Sequence, residues 1–216
     1  MAGPALNRCH VGVYNCSFQF LQSTTDLAEE LYVLMQGTGV GFSVEAEFAV
    51  EKFPRVKRQK KTAEATTYVI PDTTEGWCDA LFAGMDAWFN GKDIEFDFSK
   101  VRPAGARLSI KGGRASGPGP LKDLLQFART LILSRQGKSL SDIDCHDLAC
   151  MTGKIVQVGG VRRASEISLS DLDSTDMRGA KSGAWWQNSI HRSMANNSAV
   201  YNVKPNAIDF MEEWLS

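Results

Sequence analysis

Several things are missing from this sequence, and each absence excludes a class of function. No run of about 18 apolar residues occurs, so no membrane-spanning helix is expected. Basic residues do not outnumber acidic ones: 24 Lys and Arg stand against 25 Asp and Glu, for a net charge of −1. That balance gives no electrostatic basis for general binding to nucleic acid or to an anionic membrane surface. The opening Met1-Ala2-Gly3-Pro4-Ala5 lacks the basic-then-apolar pattern of a secretory signal. The five cysteines (Cys9, Cys16, Cys78, Cys145 and Cys150) are odd in number and irregularly spaced. They form no disulfide framework, and reduced thiols in a cytoplasmic protein are expected.

Recognisable catalytic spacings are missing too. There is no Ser-His-Asp set, no acid–base carboxylate pair and no Cys-His dyad. In Cys145-His146-Asp147-Leu148-Ala149-Cys150, His146 and Cys150 share a helical face but Cys145 does not. No second pair completes a tetrahedral site, so packing positions are expected there and no metal. Gly37-Thr38-Gly39-Val40-Gly41 has a helix before it and a strand after it, the reverse of the dinucleotide-binding order, and it lacks the Gly-Lys-Ser/Thr of a P-loop. A tight turn is expected, with glycines that let backbone approach something bulky.

What is present is ordinary globular material, 43% hydrophobic and 23% charged, in segments of alternating period. Val11 to Phe20 reads as a strand containing Cys16. A helix capped by Asp26 with Glu29 follows, carries Leu27, Leu31, Leu34 and Met35, and stops at Gly37. Gly41 to Val50 reads as a strand, Lys52 to Lys61 as a solvated basic loop, and Thr66 to Ile70 as a short strand. A helix with Trp77, Leu81, Met85 and Trp88 on one face ends near Gly91, and Ile94 to Phe98 alternates again. After a Gly- and Pro-rich loop from Arg102 to Pro120, a helix turns Leu121, Leu124, Leu125, Ala128 and Ile132 inward. Another runs from Ser141 towards Gln157, Ser165 to Leu169 reads as a strand, and Asn206 to Leu215 as a final helix. Trp185-Trp186 reads as core packing or a cap. Strands alternating with helices imply an α/β fold with a parallel sheet. The arginines of Gly159-Gly160-Val161-Arg162-Arg163 suit an anion or a nucleobase, or a solvated turn.

In combination these segments are more specific. Val13-Tyr14-Asn15-Cys16-Ser17-Phe18 and Gly37-Thr38-Gly39-Val40-Gly41-Phe42-Ser43-Val44-Glu45 are followed by Arg102-Pro103-Ala104-Gly105-Ala106 and Gly112-Gly113-Arg114-Ala115-Ser116-Gly117-Pro118. Then come Asp144-Cys145-His146-Asp147-Leu148, the Gly159–Arg163 turn, Ala180-Lys181-Ser182-Gly183 with Trp185-Trp186, and Ala195-Asn196-Asn197-Ser198. In this order they resemble the opening of the catalytic barrel of adenosylcobalamin-dependent (class II) ribonucleotide reductases, closest to the monomeric branch that reduces ribonucleoside triphosphates.

The resemblance implies the first half of a ten-stranded α/β barrel, with residues 1–216 as one partial domain and an effector-site insertion over about 50–98. It implies radical chemistry initiated by adenosylcobalamin, whose binding region would fall mostly outside this chain. Cys16 would be the first redox thiol, with Asn15, Ser17, Thr38 and Gly39 against the substrate. Ser23, Asp26, Arg102, Gly159, Gly160, Val161, Arg162 and Arg163 would serve a deoxynucleoside triphosphate effector. Implied partners are a ribonucleoside triphosphate, that effector, a C-terminal half of the reductase and a thioredoxin-like reductant. The family's Asn-x-Cys-x-Glu motif for the thiyl radical does not occur. The isolated chain is therefore expected to be a fragment that does not turn over. The alternatives are a deoxynucleotide-binding relic without catalysis, or part of a dimeric reductase acting on diphosphates.

Overall fold

A computed structural model describes residues 10–59, 66–108, 113–159 and 165–215. Four parallel strands form its main sheet, in the order β1 (Cys16–Phe20), β2 (Gly39–Ser43), β5 (Glu166–Asp171), β6 (Ala195–Val200). A smaller parallel pair joins β3 (Thr66–Val69) to β4 (Ile94–Asp97). The longer helices are α1 (Thr24–Met35), α2 (Thr74–Phe89), α3 (Gly119–Ser134) and α4 (Asp142–Gly159). Two short ones, α5 (Thr175–Gly179) and α6 (Trp185–Asn188), precede β6, and α7 (Ala207–Leu215) follows it. Helix alternating with parallel strand is the α/β architecture expected from the sequence.

Helices α1 to α4 close a ring in which α1 packs on α2, α2 on α3, α3 on α4 and α4 back on α1. Their inward positions follow the helical period. Leu27, Leu31 and Leu34 of α1, Leu81, Met85 and Trp88 of α2, and Leu121, Leu124 and Ile132 of α3 are all fully buried. Burial of such a side chain stabilises the fold by about 1.5–3 kcal/mol relative to exposure. From the sheet, Phe42 of β2 and Glu166 and Ser168 of β5 point to the buried side. Gly37 (φ 88°) and Gly91 (φ 69°) end α1 and α2 in the left-handed conformation that glycine alone adopts without strain.

Several boundaries differ from expectation, each for a local reason. His10–Val13 is a 3-10 turn, closed by the Tyr14 N–H on the Val11 carbonyl, so the strand begins only at Cys16. The second strand stops at Ser43, because the Glu45 carbonyl accepts the Ala49 and Val50 N–H groups and the Asp171 carboxylate takes the Ala46 N–H at 2.7 Å. At α1 the capping pair is Ser23 with Asp26, not Asp26 with Glu29: Ser23 is the N-cap, and the Asp26 carboxylate accepts the Gln22 and Ser23 N–H groups at 2.7 Å. Strand β6 was not expected. Its Asn196-Asn197-Ser198 centre has poor strand propensity, and its conformation comes from pairing with β5 along its whole length. The tryptophan pair is not core either: Trp185 is half-buried and Trp186 is exposed. No helix among the described residues is long and apolar enough to cross a membrane.

Candidate functional site

Side chains alternate across a strand, so the register decides what shares a face with Cys16. In β1, Cys16, Phe18 and Phe20 are exposed while Ser17 and Gln19 are half-buried. Cys16 lies opposite Gly39 and Phe18 opposite Gly41, and Gly41 is in turn opposite the exposed Ile167 of β5. The helices cover the other side of the sheet, so these residues form an open face.

The two glycines keep that face low. A Cβ at Gly39 would lie 3.2 Å from the Ser165 hydroxyl and 3.6 Å from the Asn15 carbonyl; one at Gly41 would lie 3.1 Å from the Phe18 ring. Side chains at 39 and 41 would therefore crowd their neighbours and fill the strip beside the thiol. With glycine at both positions, backbone itself forms the floor next to Cys16. Phe18 and Phe20 pack edge to face at 5.2 Å, with Phe20 near Phe48 at 6.2 Å. An exposed thiol thus sits beside a flat glycine strip, bordered by aromatic rings.

The positions expected to face a substrate divide. Asn15 is exposed next to Cys16 and Gly39 lies on the floor. Ser17 is on the opposite face, its hydroxyl donating to the Gly39 carbonyl at 3.2 Å. Thr38 is 1% exposed, and its hydroxyl donates to the Tyr14 carbonyl at 2.8 Å.

The positions expected to hold an effector divide as well. Ser23 and Asp26 cap α1 at the C-terminal end of β1. Gly159 ends α4 just before the N-terminal end of β5, a strand's length away at the other end of the parallel sheet. The structure does not bring them together. Arg102 is paired with Asp72 at 2.7 Å, at the start of α2. Gly160, Val161, Arg162 and Arg163 lie outside the described residues. Between the segment that opens α3 and the C-terminal half of α4 is a cavity of about 280 Å³, lined by Ser116, Gly119, Asp123 and Lys154 among others. Of the four, only Ser116 belongs to a motif quoted from the sequence.

Behind the sheet lies a polar cluster, of which the sequence pattern announced only the shared face of His146 and Cys150. Glu30 of α1 and Glu166 of β5 are both buried, and their carboxyls meet each other with no further partner among the described residues. Burial pushes both above the usual carboxylate range, Glu30 to about 8. Gly153 of α4 makes room for them, since a Cβ there would lie 2.1 Å from a Glu166 carboxyl oxygen. Cys150 stands nearby and touches His146 Nε2 at 3.5 Å, while His146 Nδ1 meets the Ser168 hydroxyl at 3.0 Å. Burial lowers His146 to about 4, so the ring is neutral. Asp147 takes Arg192 in a two-pronged bond at 2.6 and 2.7 Å, with His191 at 3.0 Å. Burial pushes Asp147 up, but its Arg192 and His191 bonds outweigh this and hold it below the usual range.

The cysteines therefore differ in kind. Burial raises the Cys145 and Cys150 thiols and keeps them protonated, whereas Cys16 is open to solvent. Iodoacetamide should label Cys16 at least about a hundredfold faster than Cys145 or Cys150 in the folded chain. Peptide mass spectrometry over a time course measures this, and equal rates would contradict the geometry.

Residues 42–132 match a family model described as B12-dependent ribonucleotide reductase, insertion domain. Over 77% of the chain, the sequence is 31% identical to an adenosylcobalamin-dependent ribonucleoside-triphosphate reductase of Euglena gracilis. An enzyme of the same name from Lactobacillus acidophilus is 31% identical over 80% of the chain. The chain spans only 22% and 28% of those two relatives. Among solved structures, a B-12 dependent (class II) ribonucleotide reductase superposes with a TM-score of 0.70 at 26% identity. It is matched over 82% of this chain and 28% of its own length.

Proposed function

The chain belongs to the adenosylcobalamin-dependent ribonucleotide reductase family, and from that membership we propose that it forms the Cys16-bearing part of a cytoplasmic reductase acting on ribonucleoside triphosphates. The observation that carries the reading is the open sheet face, where an exposed thiol stands beside a backbone floor able to take a flat, bulky ligand. The sheet itself is then the first part of the α/β barrel.

Adenosylcobalamin, when bound, supplies the homolytic cobalt–carbon cleavage that starts the radical chemistry. An accessible thiol on an uncluttered face fits that chemistry, and no described residue is assigned to holding the corrin. Within the chain, Gly39 and Gly41 let the sugar lie against backbone, and Asn15 offers an amide at its edge. Cys16 is one of two thiols that form a disulfide, releasing two electrons and two protons. The ribose 2'-hydroxyl leaves as water, so each ribonucleotide and thiol pair gives one deoxyribonucleotide, one disulfide and one water. A thioredoxin-like protein restores the thiols by exchange.

The effector site falls, in this reading, in the insertion over about 50–98 and in the turns around Arg102 and Gly159 to Arg163. The cavity lined by Ser116, Gly119, Asp123 and Lys154 adjoins the Arg102 turn, since Gly117 packs against Ala104, and it is the place this reading gives to part of the effector. Ser23 and Asp26, implied by the resemblance as effector contacts, also cap α1 at the C-terminal end of β1.

A chimera provides the test. Residues 10–215 are exchanged for the matching segment of the Lactobacillus reductase, and deoxynucleoside triphosphate formation is measured with and without adenosylcobalamin. Product that depends on the cofactor is expected. A folded chimera that binds nucleotide but makes no product would sink the proposal.

A further inference from the structure

Three hydrogen bonds bracket Cys16, and all involve residues 38 and 39. The Thr38 hydroxyl donates to the Tyr14 carbonyl at 2.8 Å, two residues before the cysteine. The Gly39 N–H donates to the Asn15 carbonyl at 2.9 Å, in the peptide unit that leads into Cys16. The Ser17 hydroxyl donates to the Gly39 carbonyl at 3.2 Å, just after it. Two of these involve the backbone of Gly39 and would survive a change of side chain at 38. The Thr38 bond depends on the side-chain hydroxyl of a residue that is 1% exposed.

That bond sits where the chain changes direction. The 3-10 turn His10–Val13 ends three residues before β1 begins, and β1, at the edge of the sheet among the described residues, has only one neighbour to hold its start. The Val11 carbonyl also lies 3.4 Å from the Thr38 oxygen, so the hydroxyl faces both ends of the turn. We propose that the Thr38 hydroxyl is a positioning group for Cys16, fixing the entry of the chain into β1 and hence where the thiol lies over the glycine floor. Thr38 acts through Cys16 and does not touch the substrate; the proposal rests on the reading of Cys16 as the working thiol.

The test compares Thr38→Val, which keeps the shape and loses the hydroxyl, with Thr38→Ser, which keeps the hydroxyl. Iodoacetamide labelling of the full chain is followed at Cys16 from pH 6 to 10, with Cys145 and Cys150 as internal reporters of an intact fold. In Thr38→Val, labelling of Cys16 should change about fivefold, the worth of one hydrogen bond, with a displaced pH profile. Thr38→Ser should restore the original rate and profile, and both buried thiols should stay protected. An unchanged Cys16 profile in a folded Thr38→Val chain overturns the proposal. If that variant exposes the buried thiols, Thr38→Ser decides: the native profile supports the role, and an altered one overturns it. Labelling needs no turnover, so a failed redox role for Cys16, seen as a chimera that works without it, is distinguishable from failed positioning.

Discussion

Cys16→Ser in the reductase chimera should lower deoxynucleotide formation by about a thousandfold or more, because the step it blocks has no substitute. A hydroxyl can occupy the place of the thiol and even bond to the sugar, but it cannot join a second sulfur and release two electrons. The substitution should leave the fold alone. Cys16 is exposed, belongs to no hydrophobic contact set and sits opposite a glycine, so unfolding free energy should move by no more than about 0.5 kcal/mol. Nucleotide affinity, read by calorimetry on the same protein, should stay within about threefold, since the glycine floor is intact. Turnover, melting and affinity together isolate the chemical role. Substantial activity in the chimera carrying Cys16→Ser would remove the redox assignment, whatever the family resemblance.

The second large effect concerns the buried carboxyl pair. Glu30 and Glu166 are held protonated in the fold at pH values where the unfolded chain has already lost those protons. A folded pKa above the unfolded one means that the contribution to stability is fully present below about pH 4.5. It is lost as pH rises through about 8. Glu30→Gln removes one of these groups and keeps a hydrogen-bonding partner for Glu166. At pH 8 the variant should be more stable than the native chain by about 2–4 kcal/mol, at 1.4 kcal/mol per pKa unit, and near pH 4.5 the difference should vanish. Asp147 and Asp93, held low by their arginine partners, contribute with the opposite sign as acid is added. The difference between the two proteins cancels that slope. Urea unfolding at pH 4.5, 6 and 8 measures it; a variant less stable than the native chain at pH 8 would refute the burial argument.

Much of this arrangement was legible in the sequence, and the reason is periodicity. Leu121, Leu124, Leu125, Ala128 and Ile132 were expected to face inward from a pattern of threes and fours, and all five are buried. The parallel sheet was legible from the alternation of strands with helices. Strand β6 was not, because Asn196, Asn197 and Ser198 owe their extended form to a neighbour nearly thirty positions away in the chain. The capping of α1 was misplaced by three residues, since Ser23 and Asp26 satisfy the same pattern as Asp26 and Glu29, and only the backbone separates them. At the candidate site, Cys16 and the glycines were visible through resemblance. The direction of the Thr38 side chain was not, because Thr38 lies just before β2, where strand alternation does not set it, and its hydroxyl turns to the Tyr14 carbonyl. The meeting of Glu30 with Glu166 had no local signal at all, being set by how α1 and β5 both pack against α4.

The notch at Gly153 ties two distant positions into one unit of inheritance. With a Cβ at 153 directed 2.1 Å from the Glu166 carboxyl, an alanine there would displace the end of the Glu166 side chain from its buried position. Descendants of this chain can shorten position 166 on its own, whereas the residue at 153 can grow only once the one at 166 has shortened or moved. Across divergent copies, the two columns should covary, glycine travelling with glutamate, although they stand 13 positions apart in the chain.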